Sequence, residues 1–279
     1  MPSFTFIASA HAVCNAGLTP VLLDVEETSF VLTPAIAASA LADLAEPPAA
    51  VLVISAFGAP PDVRGWEAFE DAYGIPVVFD AAAAATSLKA IGHQPLCVSL
   101  HATKVFGIGE GGAVVTTDSD LADRVISMTG FGFGGSERVS SLRGGNYRIS
   151  EYAAAVGLAV LDEIDKKEAR LLALGARYAE ALANSPCRLQ PGAGTEWATM
   201  TLNVVVPADR LDTTLARLDA GRVQWRRWWG LGTHHHPAFA TLSRTPLPVT
   251  EQLAPRVIGL PFYDDLTEAE IARVAEALQ

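Results

Sequence analysis

A lysine, an aspartate and a run of glycines carry most of the chemistry this sequence can perform. Lys104 follows Ser99-Leu100-His101-Ala102-Thr103 and precedes Gly107-Ile108-Gly109-Glu110-Gly111-Gly112. It is one of four lysines in the chain, and no charged residue lies within five positions of it. A lysine among apolar and small groups loses basicity, and its neutral amine attacks carbonyl carbons. The same position also suits a lysine whose stem lies along a strand end while its head reaches water. Asp80 closes the apolar run Ile75–Phe79, and the carboxyl ends of strands are where α/β sheets place functional side chains. A carboxylate there needs a cation or donors. The protonated ring nitrogen of pyridoxal phosphate is one such partner; a helix start over the alanines that follow is the other reading. The four glycines 107, 109, 111 and 112 spell neither GxGxxG nor a P-loop. Their simpler role is to let the chain pass close behind Lys104.

The elements that must position these residues alternate. Thr19–Val25, Ala50–Ile54 and Ile75–Asp80 read as strands, with helices over Pro34–Leu44 (Thr33 as N-cap) and Val63–Tyr73 (ending at Gly74) between them. This order predicts a mainly parallel sheet covered by helices. Val98–Leu100 and Ala113–Thr117 continue the strands, and Ser119–Met128 reads as a helix before the glycine-rich run Gly130–Gly145. One long helix is expected from Ile149 to about Leu182, bridging to a smaller α+β unit with strands near Met200–Val206, a helix near Leu211–Leu218 and a closing helix from Thr267. The predicted division is a large α/β domain over 1–165, and a bridging helix with a small C-terminal α+β domain over 166–279.

Composition narrows the function. With 20 basic and 31 acidic residues the formal charge is −11, which opposes a nucleic-acid surface. Half of the residues are apolar and only 18% charged, so the chain is expected to fold rather than remain disordered. No signal peptide or membrane span is expected, and a cytoplasmic protein is the reading. Cys14, Cys97 and Cys187 form no CxxC and are expected to be core thiols. His234-His235-His236 would alternate faces on a strand, so no metal site is expected there. Trp225-Arg226-Arg227-Trp228-Trp229-Gly230 reads from its residues as a packed aromatic cluster with surface arginines.

Taken together, Pro2-Ser3-Phe4-Thr5-Phe6, Phe57-Gly58, Asp80-Ala81-Ala82, Ser99 to Lys104, Gly109-Glu110-Gly111-Gly112 and Asn146-Tyr147-Arg148 occur in an order and spacing that resemble the DegT/DnrJ/EryC1/StrS sugar aminotransferases. The resemblance runs from Pro2 to Gln279 and implies a fold-type-I pyridoxal-phosphate enzyme. By that resemblance Lys104 is the catalytic lysine that carries the cofactor, and Asp80 faces its ring nitrogen. Ser99 matches a phosphate ligand, Phe6 the aromatic that stacks on the ring, and Asn146 a residue given across a homodimer interface to the neighbour's cofactor. The loop Gly130–Gly145 would cover the neighbouring site. His101, Phe57, Tyr147, Arg227 and Trp228 are candidate substrate contacts. The implied reaction moves an amino group, from glutamate, to a nucleotide-linked keto-deoxysugar. A lysine rather than a histidine at 104 separates it from the family's dehydratases.

Two positions depart from the pattern. Relatives carry several dozen residues before the PSFTF motif, including a helix start that holds the phosphate, whereas Met1 precedes the motif directly here. Many relatives have Gln or His at the position of Ala83, which cannot hydrogen-bond. The alternative expectation is therefore a shortened, non-catalytic relative serving as a scaffold or regulatory partner.

Overall fold

The computed structural model describes residues 1–134 and 138–279; positions 135–137 of the glycine-rich run lie outside the described residues. Four strands, β1 (Val51–Ile54), β2 (Val77–Asp80), β3 (Leu96–Ser99) and β4 (Gly112–Val115), form one sheet in that order. β1, β2 and β3 run parallel, and β4 turns back antiparallel to β3. The register pairs Ile54 with Asp80 and Asp80 with Cys97, so the carboxyl ends of the parallel strands come side by side.

Helices α2 (Pro34–Leu41) and α3 (Val63–Tyr73) cover one face of this sheet. Thr33 caps α2 by accepting from the Ile36 amide, and Pro34 supplies a preset first turn. Asp62 caps α3, and Gly74 ends it in the left-handed conformation. Trp66 and Phe69 of α3 pack with Val51, Val53, Val77, Phe79 and Leu96 from the strands, each large side chain contributing about 1.5–3 kcal/mol of burial. Helix α1 (Ala8–Asn15) lies on the opposite face, with Ala10 in a cluster that Leu52 joins. Beyond it, α4 (Ser119–Thr129) and α5 (Glu151–Leu161) bury almost nothing within the chain.

Helix α6 (Ile164–Ala181) leads to a second, antiparallel sheet of β5 (Arg188–Leu189), β6 (Asn203–Val205) and β7 (Val257–Gly259). Helices α7 (Leu211–Ala220) and α9 (Glu268–Ala277) pack on it through Leu218, Ile271 and Val274, and the short α8 (Pro248–Leu253) precedes β7. Thr267 and Glu270 form a reciprocal cap at the start of α9. A third cluster, of Phe4, Phe30, Phe57, Val205, Leu253 and Val257, packs the turn after β1 against the second sheet.

Several expectations change. The long helix 149–182 is two helices, α5 ending at Leu161 and α6 starting at Ile164, with a turn at Asp162 and Glu163 between them. The strand expected at Thr19–Val25 is reduced to single bridges, Leu22 to Arg244 and Leu23 to Pro2. The three histidines are not on a strand: Thr233–His235 is a single 3-10 turn. Of the three cysteines only Cys187 is buried; Cys14 and Cys97 are exposed. No helix among the described residues is long and apolar enough to cross a membrane.

Candidate active site

A cavity of about 800 Å³ opens at the carboxyl ends of β1, β2 and β3, roofed by the segment 224–229 and by 259–263 from the second unit. Phe6, Phe57, Asp80, Ser99, His101, Lys104 and Trp228 all line it. Asp80 and Ser99 are the last residues of β2 and β3. Lys104 sits in a loop closed on itself by backbone hydrogen bonds from Ile108 to Leu100, at 2.8 Å, and from Ala102 to Gly109, at 2.6 Å. Gly107 makes that closure possible, since a Cβ there would lie 2.6 Å from the Ala102 carbonyl oxygen. Burial pushes the Lys104 ammonium below its ordinary pKa, and the Asp80 carboxylate pulls it partly back.

Asp80 is held from two sides. Oδ2 accepts from the Ser9 hydroxyl at 2.6 Å, and Oδ1 accepts from the Ala82 amide at 3.1 Å. Phe6 is 56% exposed, its ring open at the cavity wall. Phe57, by contrast, is 4% exposed and stacks on Trp229 at 3.9 Å, so only its edge of the cluster meets the cavity. His101 bonds through Nδ1 with Thr103 Oγ1 at 2.9 Å, and its Nε2 lies 3.6 Å from Glu110.

Three of the expected residues fall elsewhere. Arg227 donates to the Pro255 carbonyl at 2.8 Å and lies over Trp225; Trp225 lines the cavity and Arg227 does not. Its neighbour Arg226 takes the cavity wall instead and sits 5.7 Å from the Trp228 ring. Arg226 is bridged to Gly259, and Gln224, Trp225, Trp228 and Trp229 of the same segment also line the cavity. Asn146 and Tyr147 line a separate surface hollow beside α5. Asn146 is bridged to Gly130 and its amide oxygen accepts from Arg148 at 3.4 Å.

A sequence model of the DegT/DnrJ/EryC1/StrS aminotransferase family matches residues 1–279. The chain belongs to this family. Solved relatives include an aminotransferase of the family from Brucella abortus, 26% identical at a TM-score of 0.87, which the chain matches over 99% of itself and 77% of that protein. DesI, solved in the presence of its TDP-sugar product, is 32% identical at a TM-score of 0.85, with 100% of this chain and 73% of that one covered. DesV of S. venezuelae is 30% identical at a TM-score of 0.86, covering 99% and 76%. A Mycobacterium bovis relative, protein Mb3436c, is 29% identical over all of this chain and 70% of its own length. This family member is a pyridoxal-phosphate-dependent aminotransferase with the fold-type-I architecture.

The cavity suits that cofactor. It offers a carboxylate fixed on two donors, an amine of lowered basicity and an open aromatic face. It is also lined by Ser55, whose buried hydroxyl has no partner among the described residues. An orphaned buried hydroxyl is costly unless a ligand supplies its partner. Ser9, Ser55 and Arg226 were not singled out from the sequence. Ser9 stands in an alanine-rich stretch, and nothing local marks it as a partner of a residue 71 positions away.

Proposed function

We propose that this aminotransferase moves the amino group of glutamate to the keto carbon of a nucleotide-linked deoxysugar, leaving 2-oxoglutarate and an amino sugar. The observation that carries the reading is the convergence of Lys104 and Asp80 on one cavity at the strand ends. The relative DesI, at 32% identity, supports both the sugar and the nucleotide through its TDP-sugar product.

Each residue then has a task. Pyridoxal phosphate, when bound, supplies an electron sink for the pair left when a bond at the amine carbon breaks. Asp80 keeps a positive charge at the ring nitrogen, and Phe6 covers a ring face. Ser99 donates to the phosphate. Lys104 holds the cofactor and afterwards carries the proton between two carbons on Nζ, a role suited to an amine kept weakly basic by burial. His101, Trp228 and Arg226 line the outer wall where the sugar and its phosphates would enter.

The same proposal includes a homodimer in which Asn146 and Tyr147 serve the neighbour's cavity. Exposed Ile126, Met128, Tyr152, Val156 and Leu158 on α4 and α5 support it, as large apolar patches mark protein contacts. It also includes the division at 165/166, which keeps the four-stranded sheet in one unit and the three-stranded sheet in the other.

Mixing the purified chain with pyridoxal phosphate, reducing with borohydride and mapping peptides tests this. The expected result is a new visible absorption band and label on Lys104, both absent from Lys104→Ala. Nitrogen-15 from labelled glutamate should then appear in a nucleotide-linked amino sugar. A folded chain that takes no label would overturn the catalytic reading and leave the scaffold role.

A further inference from the structure

Helix α1 has no side-chain cap, its N-cap position being Ile7, and Ser9 is the second residue inside it. The Ser9 hydroxyl leaves the helix and donates to Asp80 Oδ2 at 2.6 Å, a length typical of a hydroxyl on a charged oxygen. A hydroxyl has one proton. With it committed to Asp80, the 3.1 Å contact between Ser9 Oγ and Thr5 Oγ1 can only run from Thr5 to Ser9, in competition with the longer 3.4 Å contact from Thr5 Oγ1 to the Phe6 carbonyl. Thr5 and Ser9 are 1% and 3% exposed, and both line the cavity. The result is a relay, Thr5 to Ser9 to Asp80, with both hydroxyls buried and the carboxylate half-buried at the cavity, in which each bond polarises the next. The Ala82 amide fixes the other carboxylate oxygen, so rotation of the carboxylate plane is blocked from both ends.

We infer that Ser9, backed by Thr5, is a positioning residue that fixes the Asp80 carboxylate in the orientation in which it meets the cofactor's ring nitrogen. This rests on the assignment of Asp80 to that nitrogen. Neither hydroxyl touches the reacting atoms. Their effect passes through one carboxylate, so it reaches cofactor affinity and the ring's protonation together.

The test compares Ser9→Ala, Ser9→Thr, Thr5→Val and Asp80→Asn in the full chain. Pyridoxal phosphate is titrated by visible absorption, and the pH dependence of the bound cofactor's spectrum is recorded. Ser9→Ala is expected to weaken binding about tenfold or more, the scale of a lost hydrogen bond to a charged group, and to move the spectral pH midpoint. Ser9→Thr, which keeps the hydroxyl, restores both. Thr5→Val moves both in the same direction by less, and carries the test by itself if Ser9→Ala does not fold. If Ser9→Ala and Thr5→Val bind and titrate as the unaltered chain does while Asp80→Asn loses binding, the relay is only packing and the inference fails. If Asp80→Asn also binds unchanged, the assignment of Asp80 itself is wrong, and the inference falls with it.

Discussion

Gly58 connects the end of β1 to the segment after Asp80, and replacing it with alanine gives a sharp test of how tightly this corner is built. Its φ is +102°, and a Cβ would stand 2.8 Å from the Ala83 carbonyl oxygen and 3.3 Å from Trp197. The left-handed backbone costs an L residue about 1–2 kcal/mol. Forcing a methyl onto a backbone oxygen adds roughly 1–3 kcal/mol of overpacking, for about 2–5 kcal/mol in all. Gly74 isolates the first contribution, because its φ is +67° and a Cβ there meets nothing within 4 Å. Gly74→Ala should therefore cost only about 1–2 kcal/mol. Urea unfolding of the cofactor-free chain, followed by far-ultraviolet circular dichroism, measures both. Because the displaced carbonyl lies three residues from Asp80, Gly58→Ala should also weaken cofactor binding while Gly74→Ala leaves it alone. Equal midpoints for the two variants would refute the reasoning, since only overlap with Ala83 and Trp197 separates them.

Three further outcomes follow from titrating groups. The proposed capture of the cofactor by Lys104 needs the neutral amine, so on that proposal the borohydride-trapping rate should rise with pH and level off below the ordinary lysine value of 10.5; Asp80→Asn should move that midpoint lower still. Burial pushes the Tyr178 phenol up from 10, and its hydroxyl donates to the Pro261 carbonyl at 2.6 Å. Stability should therefore fall as pH rises past about 10, and Tyr178→Phe, costing about 1 kcal/mol at neutral pH, should flatten that alkaline fall. Burial raises Glu26, but hydrogen bonds from Thr28 and Ser29 outweigh it and bring the carboxyl to about 2. Its stabilisation is complete above pH 4.5 and lost toward pH 2, so acid unfolding of Glu26→Gln should be shallower across that window.

Local chemistry made some elements readable. Thr33 before Pro34, and Gly74 after Tyr73, mark helix ends that depend only on adjacent residues. The strand carrying Asp80 announces itself as an apolar run that stops at a polar residue, whereas the one carrying Ser99 begins two residues before, and ends one before, the Val98–Leu100 read from the sequence. What stayed hidden depends on distant partners. Leu22 and Leu23 look like a strand, yet each has a bridge partner on a different side, at Arg244 and Pro2, so no ladder extends. The α5–α6 break coincides with the change from alanine-rich to charged sequence at Asp162, but continuous helix-forming residues mask it. In the site, Arg226 and Arg227 are indistinguishable by composition, and distant partners separate them: Arg226 bridges to Gly259 at the cavity wall, whereas the Pro255 carbonyl holds Arg227. Ser9 meets Asp80 only after the sheet has formed.

The strip 1–25 is tied to the far end of the sequence. Ser3 bonds to His234 at 2.7 Å and accepts the Thr233 amide, Leu22 donates to Ser243, and Asp24 accepts both the Val249 and Thr250 amides at 2.8 Å, 225 and 226 positions away. During synthesis those partners do not yet exist. At roughly 5–20 residues per second, the strip waits about 10–45 s for them. Phe4, fully buried in the finished protein, spends that interval without its lid. The nascent chain thus passes through a stage with apolar surface open to chaperones and to other chains, and the cavity closes only when translation is nearly complete.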